Sequence, residues 1–356
     1  MKAFLILEDG TIFEGRGVGM QGSYFGRLAF HTGMGGYQEL ITDPAMKDQL
    51  LVMTYPLIGN YGTNCEDNES SKAWARGVIM RECCEKPNNF RMEDALPAYM
   101  EKMGVGGIEG VDTRELTRIL RGSGEMRGAL IVGSADTDKK EEILDQIRKL
   151  EVWEPIKAQN YEQQSLPDIE TGRPDVLLVD FGCTRSFIKG ISDFGVNIKI
   201  SKLGENAKEL LAGVSGILLS GGPGSPEKCD SFTGVIKDLI ASGLPIMAVG
   251  LSHNLVAKAM GFENIKLPYG HRGASNPVKD IKTGRTYITR QNHDFSVDKK
   301  SVDEKQAEIS HVNLNDTSCE GIVYKTVNVS SFQFEPDFDD RAHATGHYFK
   351  DFISKL

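Results

Sequence analysis

The chain has 356 residues, 40% of them hydrophobic and 26% charged, a length and balance that fit two globular domains. Its formal net charge of -9 predicts no nucleic-acid partner, because nucleic-acid binding relies on a basic patch. No apolar run approaches the length of a membrane span and the six cysteines form no CxxC pair, so we expect a cytoplasmic protein without a membrane partner, a metal site or a disulfide framework.

The first part of the chain, residues 1–150, is predicted to be a compact α+β domain. It opens with two apolar runs that flank Asp9-Gly10, a pair typical of a hairpin turn. Further along, GVDTRELTRILRGSG predicts a helix, because Asp112 or Thr113 can cap its start and glycines follow its end. Taken alone, this part holds no catalytic constellation.

Residues 151–174 are polar, contain three prolines and lack a sustained period, which is typical of an interdomain linker. From residue 175 to 356, short apolar runs alternate with helical patterns. Strands are predicted at 175–181, 196–201, 216–220 and 246–249, and helices at 185–194, 205–212, 232–241 and after 250. This alternation predicts an α/β domain in which helices cover both faces of a doubly wound, mostly parallel sheet.

Two loops are predicted to share a crevice at the carboxyl ends of these strands. LSGGPGSP (219–226) follows one strand, and its bare backbone N–H groups suit a developing negative charge, although such a turn alone is more often a plain strand end. The next strand, Ile246 to Val249, runs into a tight junction at Gly250. In hydrolytic α/β enzymes this junction is the nucleophile elbow and presents a Ser or Cys, whereas glycine offers no reacting atom.

Two carboxylates, Glu335 and Asp337, follow the last predicted strand in SFQFEPDFDD. Residues at i and i+2 of an extended chain face the same way, so the two could form an acid/base pair or bind a metal; a solvated acidic turn is the simpler interpretation of the motif alone. His253 and His293 lie near polar loops, but packed or capping roles are commoner for histidines. Ser252 adjoins His253, and helix neighbours do not face each other, which argues against a Ser–His dyad.

Together these motifs resemble the small chain of carbamoyl-phosphate synthase, the glutamine-hydrolysing subunit, over nearly the whole chain. HTGMGGYQELITDP, YPLIGNYGTN and GVDTRELTRIL are similar to its N-terminal domain. DFGCTRS, LSGGPGSP, YGHRGASNPV, QNHDFSVD and SFQFEP are similar to its class I glutamine amidotransferase domain. The resemblance implies a Cys–His–Glu triad that hydrolyses glutamine and passes ammonia to a large partner chain, which docks on the N-terminal domain.

The resemblance also implies where the cofactors belong. The large chain uses ATP and bicarbonate to make carbamoyl phosphate for arginine and pyrimidine synthesis. The small chain is therefore expected to need no cofactor of its own.

The chain departs from the family at each triad position. Gly250 stands at the position of the nucleophilic Cys, Glu335 at that of the His and Asp337 at that of the Glu. Because a thiolate attacks the amide and an adjacent base sustains it, Gly250 has no atom to attack with and Glu335 has no thiol to deprotonate. Loss of the nucleophile costs on the order of a million-fold in a well-studied protease triad. The resemblance therefore predicts a retained fold and docking surface without glutaminase activity.

The family's glutamine pocket is altered as well. Asn254 replaces a Gln, Asp294 replaces a Gly and Ala45 replaces a Ser. The charge of Asp294 is expected to repel the α-carboxylate of glutamine. The positions that still match the family's pocket and oxyanion pattern are Gly222, Gly224, Leu251, Asn292 and Phe295.

Two other functions stay open beside a small-chain-like subunit that stabilises or regulates a large chain fed by free ammonia. One is a stand-alone metabolite-binding protein, in which Glu335, Asp337 and Asp294 favour a small amine-bearing ligand such as glutamine or another amine. The other is an amidase with an unorthodox nucleophile, either Ser252 or Cys229. Cys229 lies just beyond the SGGPGSP loop.

Overall fold

The computed structural model describes residues 1–124, 126–133, 140–152, 154–155, 167–201, 209, 211–338 and 344–356. The chain divides into two compact units, Met1–Val152 and Trp153–Leu356. Much of the predicted linker and most of the predicted helix 205–212 lie outside the described residues. Within the described ranges, no helix combines the length and apolar character that crossing a membrane requires.

The first unit is built around a barrel. Its strands are β1 (Lys2–Leu7), β2 (Ile12–Gly19), β3 (Gly22–His31), β4 (Gln49–Met53), β5 (Leu57–Ile58), β6 (Gly77–Ile79), β7 (Glu82–Cys83), β8 (Gly106–Glu109) and β9 (Arg127–Val132). Seven of them close in the order β1-β2-β8-β6-β4-β3-β9, and β5 pairs separately with β7. The predicted hairpin is confirmed, since β1 and β2 pair antiparallel on either side of Asp9-Gly10.

Helices pack on this barrel and make the unit α+β, as predicted. They are α1 (Tyr37–Thr42), α2 (Leu96–Lys102), α3 (Thr113–Ser123) and α4 (Lys140–Arg148). The predicted helix in GVDTRELTRILRGSG is confirmed as α3, because the Asp112 carboxylate accepts from the first backbone N–H groups and Gly124 ends the helix at a φ of 77°. Leu116 and Leu120 of α3 pack in one core with Leu50 of β4.

The second unit contains a nine-stranded sheet. Its strands are β10 (Asp175–Val179), β11 (Asn197–Ser201), β12 (Gly216–Leu219), β13 (Ile246–Val249), β14 (Asn264–Asp280), β15 (Thr286–Val297), β16 (Ala307–Asn313), β17 (Cys319–Tyr324) and β18 (Val329–Phe332), in the spatial order β11-β10-β12-β13-β18-β17-β16-β14-β15. The first five in this order are parallel, as predicted. The other four extend the sheet in antiparallel fashion, and the sequence beyond residue 265 did not indicate this extension.

Helices cover both faces of the parallel half, which confirms the doubly wound arrangement. They are α5 (Arg185–Asp193), α6 (Thr233–Ala241), α7 (Leu251–Ala259) and α8 (His347–Ile353). Phe187 of α5 and Phe349 of α8 pack on one face with Leu178. Leu239 of α6 and Leu255 of α7 pack on the other face. The carboxyl ends of β10, β12, β13 and β18 therefore meet at one edge of the sheet.

Candidate active site

Gly250 occupies the turn between β13 and α7 with a φ of 57° and a ψ of -124°. Its N–H donates to the carbonyl of Phe332 at 2.9 Å, which fixes the turn against the end of β18. Residues with a Cβ are strained at such a positive φ. A Cβ built on Gly250 would lie 3.1 Å from the Cα of Gly221. The strained backbone of a nucleophile elbow is thus present, without a side chain to use it.

The LSGGPGSP loop lies directly against this elbow, as the sequence predicts. A Cβ on Gly222 would come within 2.0 Å of the carbonyl oxygen of Phe181, so only glycine fits there. Gly224 has a φ of 123° and packs against Pro155. The hydroxyl of Ser220 accepts from the N–H of Phe181 at 2.8 Å and joins the loop to the end of β10. The oxyanion-type loop therefore keeps a tightly constrained backbone.

Ser252, considered above as a substitute nucleophile, has a structural role. Its side chain is fully buried, and its hydroxyl donates to the backbone carbonyl of Ser220. This bond fastens the first turn of α7 to the LSGGPGSP loop. A hydroxyl that is buried and donating in this way is not available to attack a substrate.

Glu335 and Asp337 are held by different partners. Glu335 pairs with Arg290 of β15 through an isolated antiparallel β-bridge of the backbone. The guanidinium of Arg290 also donates to the Glu335 carboxylate at 3.3 Å. Asp337 exchanges two hydrogen bonds with Thr345: its N–H donates to the hydroxyl at 2.8 Å, and its carboxylate accepts from the Thr345 N–H at 3.1 Å. The expected cooperation of the two carboxylates is therefore replaced by two separate contacts.

Asp294 lies in a nearly buried ion pair with Arg272. The exposed fractions of the two side chains are 12% and 4%, and the guanidinium donates to both carboxylate oxygens. Arg272 also donates to the carbonyl of His293 at 2.8 Å. Because the guanidinium offsets the charge of the carboxylate, this pair argues against a strong repulsion between Asp294 and a substrate carboxylate, and the repulsion stays a prediction.

The same contacts weaken the argument for a cationic ligand. That argument relied on three free acids, yet Asp294 and Glu335 each face a guanidinium and Asp337 is bonded to Thr345. A carboxylate already paired with a cation gains little from a second one.

Asn254, which replaces the pocket Gln, is 2% exposed. Its side-chain amide donates to Asn264 at 2.9 Å, and the amide of Asn264 donates back to the Asn254 carbonyl at 3.1 Å. The shorter side chain is thus engaged within the fold rather than free for a ligand.

The remaining pocket candidates lie on several elements. Leu251 begins α7. Asn292 pairs in register with Arg272, and Phe295 accepts at its carbonyl from His293. Ala45 belongs to the first unit, in a short 3-10 helix over Pro44–Met46. Their roles in ligand binding stay predictions.

The other candidate acids, bases and nucleophiles are buried. His253 is fully buried with its Nδ1 2.8 Å from the hydroxyl of Ser331, and burial lowers the pKa of His253 to about 3. Burial lowers the pKa of His293 to about 4. Cys229 is fully buried, and burial raises the pKa of its thiol to about 12. A thiol in this state is inert at neutral pH, so Cys229 is not a plausible nucleophile.

Sequence reasoning missed the cations that pair with these acids, Arg272 and Arg290. No local pattern indicates these pairs, because Asp294 and Glu335 lie 22 and 45 residues from their partners in sequence. It also missed a buried group of possible metal ligands, since His271, His293 and Glu320 come from three separate strands and lie within 4.8 Å of one another.

The site and the fold together define a class. A glycine-constrained loop and an elbow turn lie side by side at the carboxyl edge of a doubly wound sheet, which is the arrangement of class I glutamine amidotransferases. The family model for glutamine amidotransferase class-I matches residues 177–355. The model for the carbamoyl-phosphate synthase small chain, CPSase domain, matches residues 5–130.

Relatives cover the whole length. The carbamoyl phosphate synthase small chain of Fusobacterium nucleatum is 37% identical over 99% of this chain and 97% of its own. The pyrimidine-specific small chain of Lactiplantibacillus plantarum is 35% identical over 100% and 96%. A glutamine amidotransferase structure from Thermotoga maritima covers 46% of this chain and 76% of its own at 14% identity, with a TM-score of 0.39. The chain belongs to the carbamoyl phosphate synthase small chain family, as the motifs predicted.

Proposed function

We propose that this chain is a carbamoyl-phosphate synthase small subunit that binds a large chain but does not hydrolyse glutamine. The observation that carries the proposal is Gly250 at the elbow, where the chemistry requires a thiol. The large chain would use ATP, bicarbonate and free ammonia, in the cytoplasm, to make carbamoyl phosphate for pyrimidine or arginine synthesis. The names of the full-length relatives and the match of residues 5–130 to the small-chain domain support the subunit role.

The first argument concerns the nucleophile. Hydrolysis of an amide through a covalent intermediate needs an activated nucleophile within reach of the amide carbon. Neither of the two substitute nucleophiles considered from the sequence is available. The hydroxyl of Ser252 donates to Ser220, and Cys229 is fully buried. Cys183, in the segment between β10 and α5, is also buried, and its pKa is raised by burial and by the neighbouring Asp180. None of these groups is suited to replace a thiolate at residue 250.

The second argument concerns the base. A general base for this reaction should titrate near neutral pH, as a histidine does. Glu335 occupies the histidine position and is paired with Arg290 instead of with a nucleophile. Asp337, at the position of the orienting acid, bonds to Thr345. Each remaining triad position has thus acquired a contact unrelated to proton transfer.

The third argument concerns the fold around the lost chemistry. A non-glycine residue at the Gly250 turn costs about 1–3 kcal/mol of backbone strain, which a catalytic residue justifies by its activity. Once the thiol is gone, glycine removes this strain while the turn still joins β13 to α7. Retention of the turn and of its bond to Phe332 fits a chain selected for its structure and its partner.

Ammonia release from glutamine tests the proposal directly. The natural chain should release none above the enzyme-free background, with or without the large chain. A triple variant, Gly250→Cys with Glu335→His and Asp337→Glu, restores the family triad and serves as the positive design. A single Gly250→Cys variant is the matched control, because it restores the thiol without its base.

A second readout covers the case in which the restored triad stays inactive because Asn254 no longer contacts glutamine. A chloroketone analogue of glutamine alkylates a reactive thiol, and mass spectrometry locates the adduct. Steady ammonia release by the natural chain, or an adduct on it with such an analogue, would overturn the proposal.

A further inference from the structure

We propose that the second unit holds a structural metal site for a zinc-class divalent ion, with His271, His293, Glu320 and Gln291 as ligands. The four side chains come from β14, β15 and β17 and are buried, with exposed fractions of 8%, 9%, 0% and 3%. Two imidazoles with oxygen donors suit zinc and its neighbours better than magnesium or calcium, which prefer oxygen ligands alone. The proposal is independent of the glutaminase question, because none of these residues stands at a triad position.

The spacing of the donor atoms fits tetrahedral coordination. Zinc bonds of about 2.0–2.1 Å place neighbouring ligand atoms about 3.3–3.4 Å apart. The Nδ1 of His271 lies 3.1 Å from the Oε1 of Glu320, and the Nε2 of His293 lies 3.8 Å from that same oxygen. The Oε1 of Gln291 is 3.1 Å from the Nε2 of His293. The donor atoms of His271, His293 and Glu320 lie within 4.8 Å of one another, and Gln291 adjoins them through its contact with His293, so we propose that the four close around one ion.

The partners of the donor groups already orient them for this task. The other nitrogen of His271, Nε2, is 2.9 Å from the carboxylate of Asp316. The other nitrogen of His293, Nδ1, is 2.9 Å from the carbonyl of Phe295. Carboxylate and carbonyl acceptors of this kind fix the tautomer of metal-binding histidines and leave the opposite nitrogen's lone pair for the ion.

Glu320 is oriented in the same way. Its second oxygen, Oε2, accepts from the side-chain amide of Gln291 at 3.0 Å, which leaves Oε1 turned towards the two imidazoles. The amide of Asn313 donates to this oxygen and to the Nδ1 of His271, each at 3.2 Å. The NH₂ group of Asn313 thus lies at the position that an ion would occupy between these two donor atoms. The Asn313 side chain must rotate away when the ion binds.

His293 supplies a further reason to place a cation here. A neutral imidazole has one N–H, so it can donate to only one acceptor. Its two nitrogens face two oxygen atoms, the carbonyl of Phe295 at 2.9 Å and the side-chain oxygen of Gln291 at 3.1 Å. When the N–H points to Phe295, the lone pair on Nε2 opposes that of Gln291. An ion bound by both removes this repulsion.

The charges also balance. Glu320 is fully buried and Asp316 is partly exposed, and together their carboxylates would neutralise the two charges of the ion. Uncompensated charge is costly to bury, so a neutral assembly is the stable one. With four protein donors the coordination shell is complete, which is typical of a structural rather than a catalytic site.

The ion would connect strands that also carry the crevice. His271 pairs in register with His293, and the adjacent pair is Arg272 with Asn292. Successive residues of a strand point to opposite faces of the sheet. A metal bound by His271 and His293 on one face would therefore hold β14 and β15 together, and the other face of these strands carries Arg272 and Asn292.

Zinc binding by the full-length chain tests the proposal. The chain is stripped with a chelator, titrated with zinc chloride and assayed for bound metal after dialysis. We expect one equivalent per chain and a higher thermal midpoint, because a ligand of the native state stabilises it. Cobalt(II) in place of zinc should give the intense visible absorption of tetrahedral coordination.

Matched variants locate the site. Asp316→Asn removes the negative charge beside His271 while an amide oxygen can still accept from Ser318, and it should weaken zinc binding about 10- to 100-fold. Asp303→Asn is the control, since Asp303 also accepts hydrogen bonds in an exposed turn, at 2.9 Å and 3.1 Å, but has no histidine partner. His293→Gln should abolish stoichiometric binding, whereas His311→Gln, at another buried histidine, should retain it.

Two results would overturn the proposal. One is the absence of stoichiometric zinc and of the cobalt absorption in the natural chain, which needs no variant to interpret. The other is zinc binding that neither Asp316→Asn nor His293→Gln weakens, which would place the ion elsewhere.

Discussion

The hydroxyl of Ser252 donates to the backbone carbonyl of Ser220, and this contact joins the elbow helix to the glycine-rich loop. Ser252 is fully buried, so its side chain fills space beside the elbow. A working elbow keeps its surroundings open for a substrate. Here the side chain of Ser252 instead holds α7 against the LSGGPGSP loop.

Removal of that hydroxyl should therefore cost stability. Ser252→Ala leaves the buried carbonyl of Ser220 without this donor, and we expect a loss of about 1–3 kcal/mol in the free energy of unfolding. Urea denaturation measures it. Ser354→Ala is the control, because the Ser354 hydroxyl donates to the carbonyl of Asp351 on the surface, and its loss should cost less than about 0.5 kcal/mol. Equal costs would contradict the assigned role.

The elbow itself should resist any side chain. Gly250→Ala places a Cβ at a φ of 57° and 3.1 Å from the Cα of Gly221, and should destabilise the chain by about 1–3 kcal/mol. Gly234→Ala is the matched control, since Gly234 lies in α6 with nothing within 4 Å of an added Cβ. There alanine should stabilise by up to about 1 kcal/mol. Opposite signs are expected, and a neutral Gly250→Ala would refute the strained turn.

The buried pair of Arg272 and Asp294 should matter more than the exposed pair of Arg290 and Glu335. Arg272→Met removes the cation that faces a nearly buried carboxylate and should cost about 3–5 kcal/mol. Arg290 is 50% exposed at its side chain, so Arg290→Met should cost less than about 1 kcal/mol. Chemical denaturation of both variants gives the comparison. If Asp294→Asn did not rescue part of the Arg272→Met loss, the pair would not explain it.

Stability should fall in acid because of buried histidines, among them His253 and His311, which lie outside the proposed metal site. Burial lowers the pKa of His253 to about 3 and that of His311 to about 4, against about 6.5 in the unfolded chain. As pH falls from about 6.5 to 4, the unfolded state binds protons that the native state does not, and each histidine reduces the unfolding free energy by up to about 1.4 kcal/mol per pH unit. Above about pH 6.5 the contribution is constant.

Urea unfolding across this pH range measures the effect. The variant His311→Gln removes one of these buried histidines, so its stability should depend less steeply on pH than that of the natural chain. Identical slopes for the two proteins would contradict the buried, neutral state of His311.

Local sequence patterns predicted much of the parallel half of the sheet. The run from Ile246 to Val249 is apolar because both faces of β13 are covered, and such runs are recognisable without a partner. The Gly250 junction follows from the same strand. The cap of α3 at Asp112 is also a local pattern, so it could be predicted from a few residues.

Contacts between distant strands could not be predicted in this way. His271 and Glu320 are 49 residues apart in sequence and meet only through the pairing of β14, β16 and β17. A shift of one residue in register would turn His271 to the other face. For the same reason the cations that pair with Asp294 and Glu335 were missed.

The central claim is that the chain supports carbamoyl phosphate synthesis without using glutamine, and one measurement tests it most directly. The complex with a large chain, isolated by co-purification, is supplied with ATP, bicarbonate and either glutamine or ammonium chloride, and carbamoyl phosphate is quantified. The account predicts product with ammonium and none above background with glutamine. A glutamine-supported rate comparable to the ammonium-supported rate would contradict it.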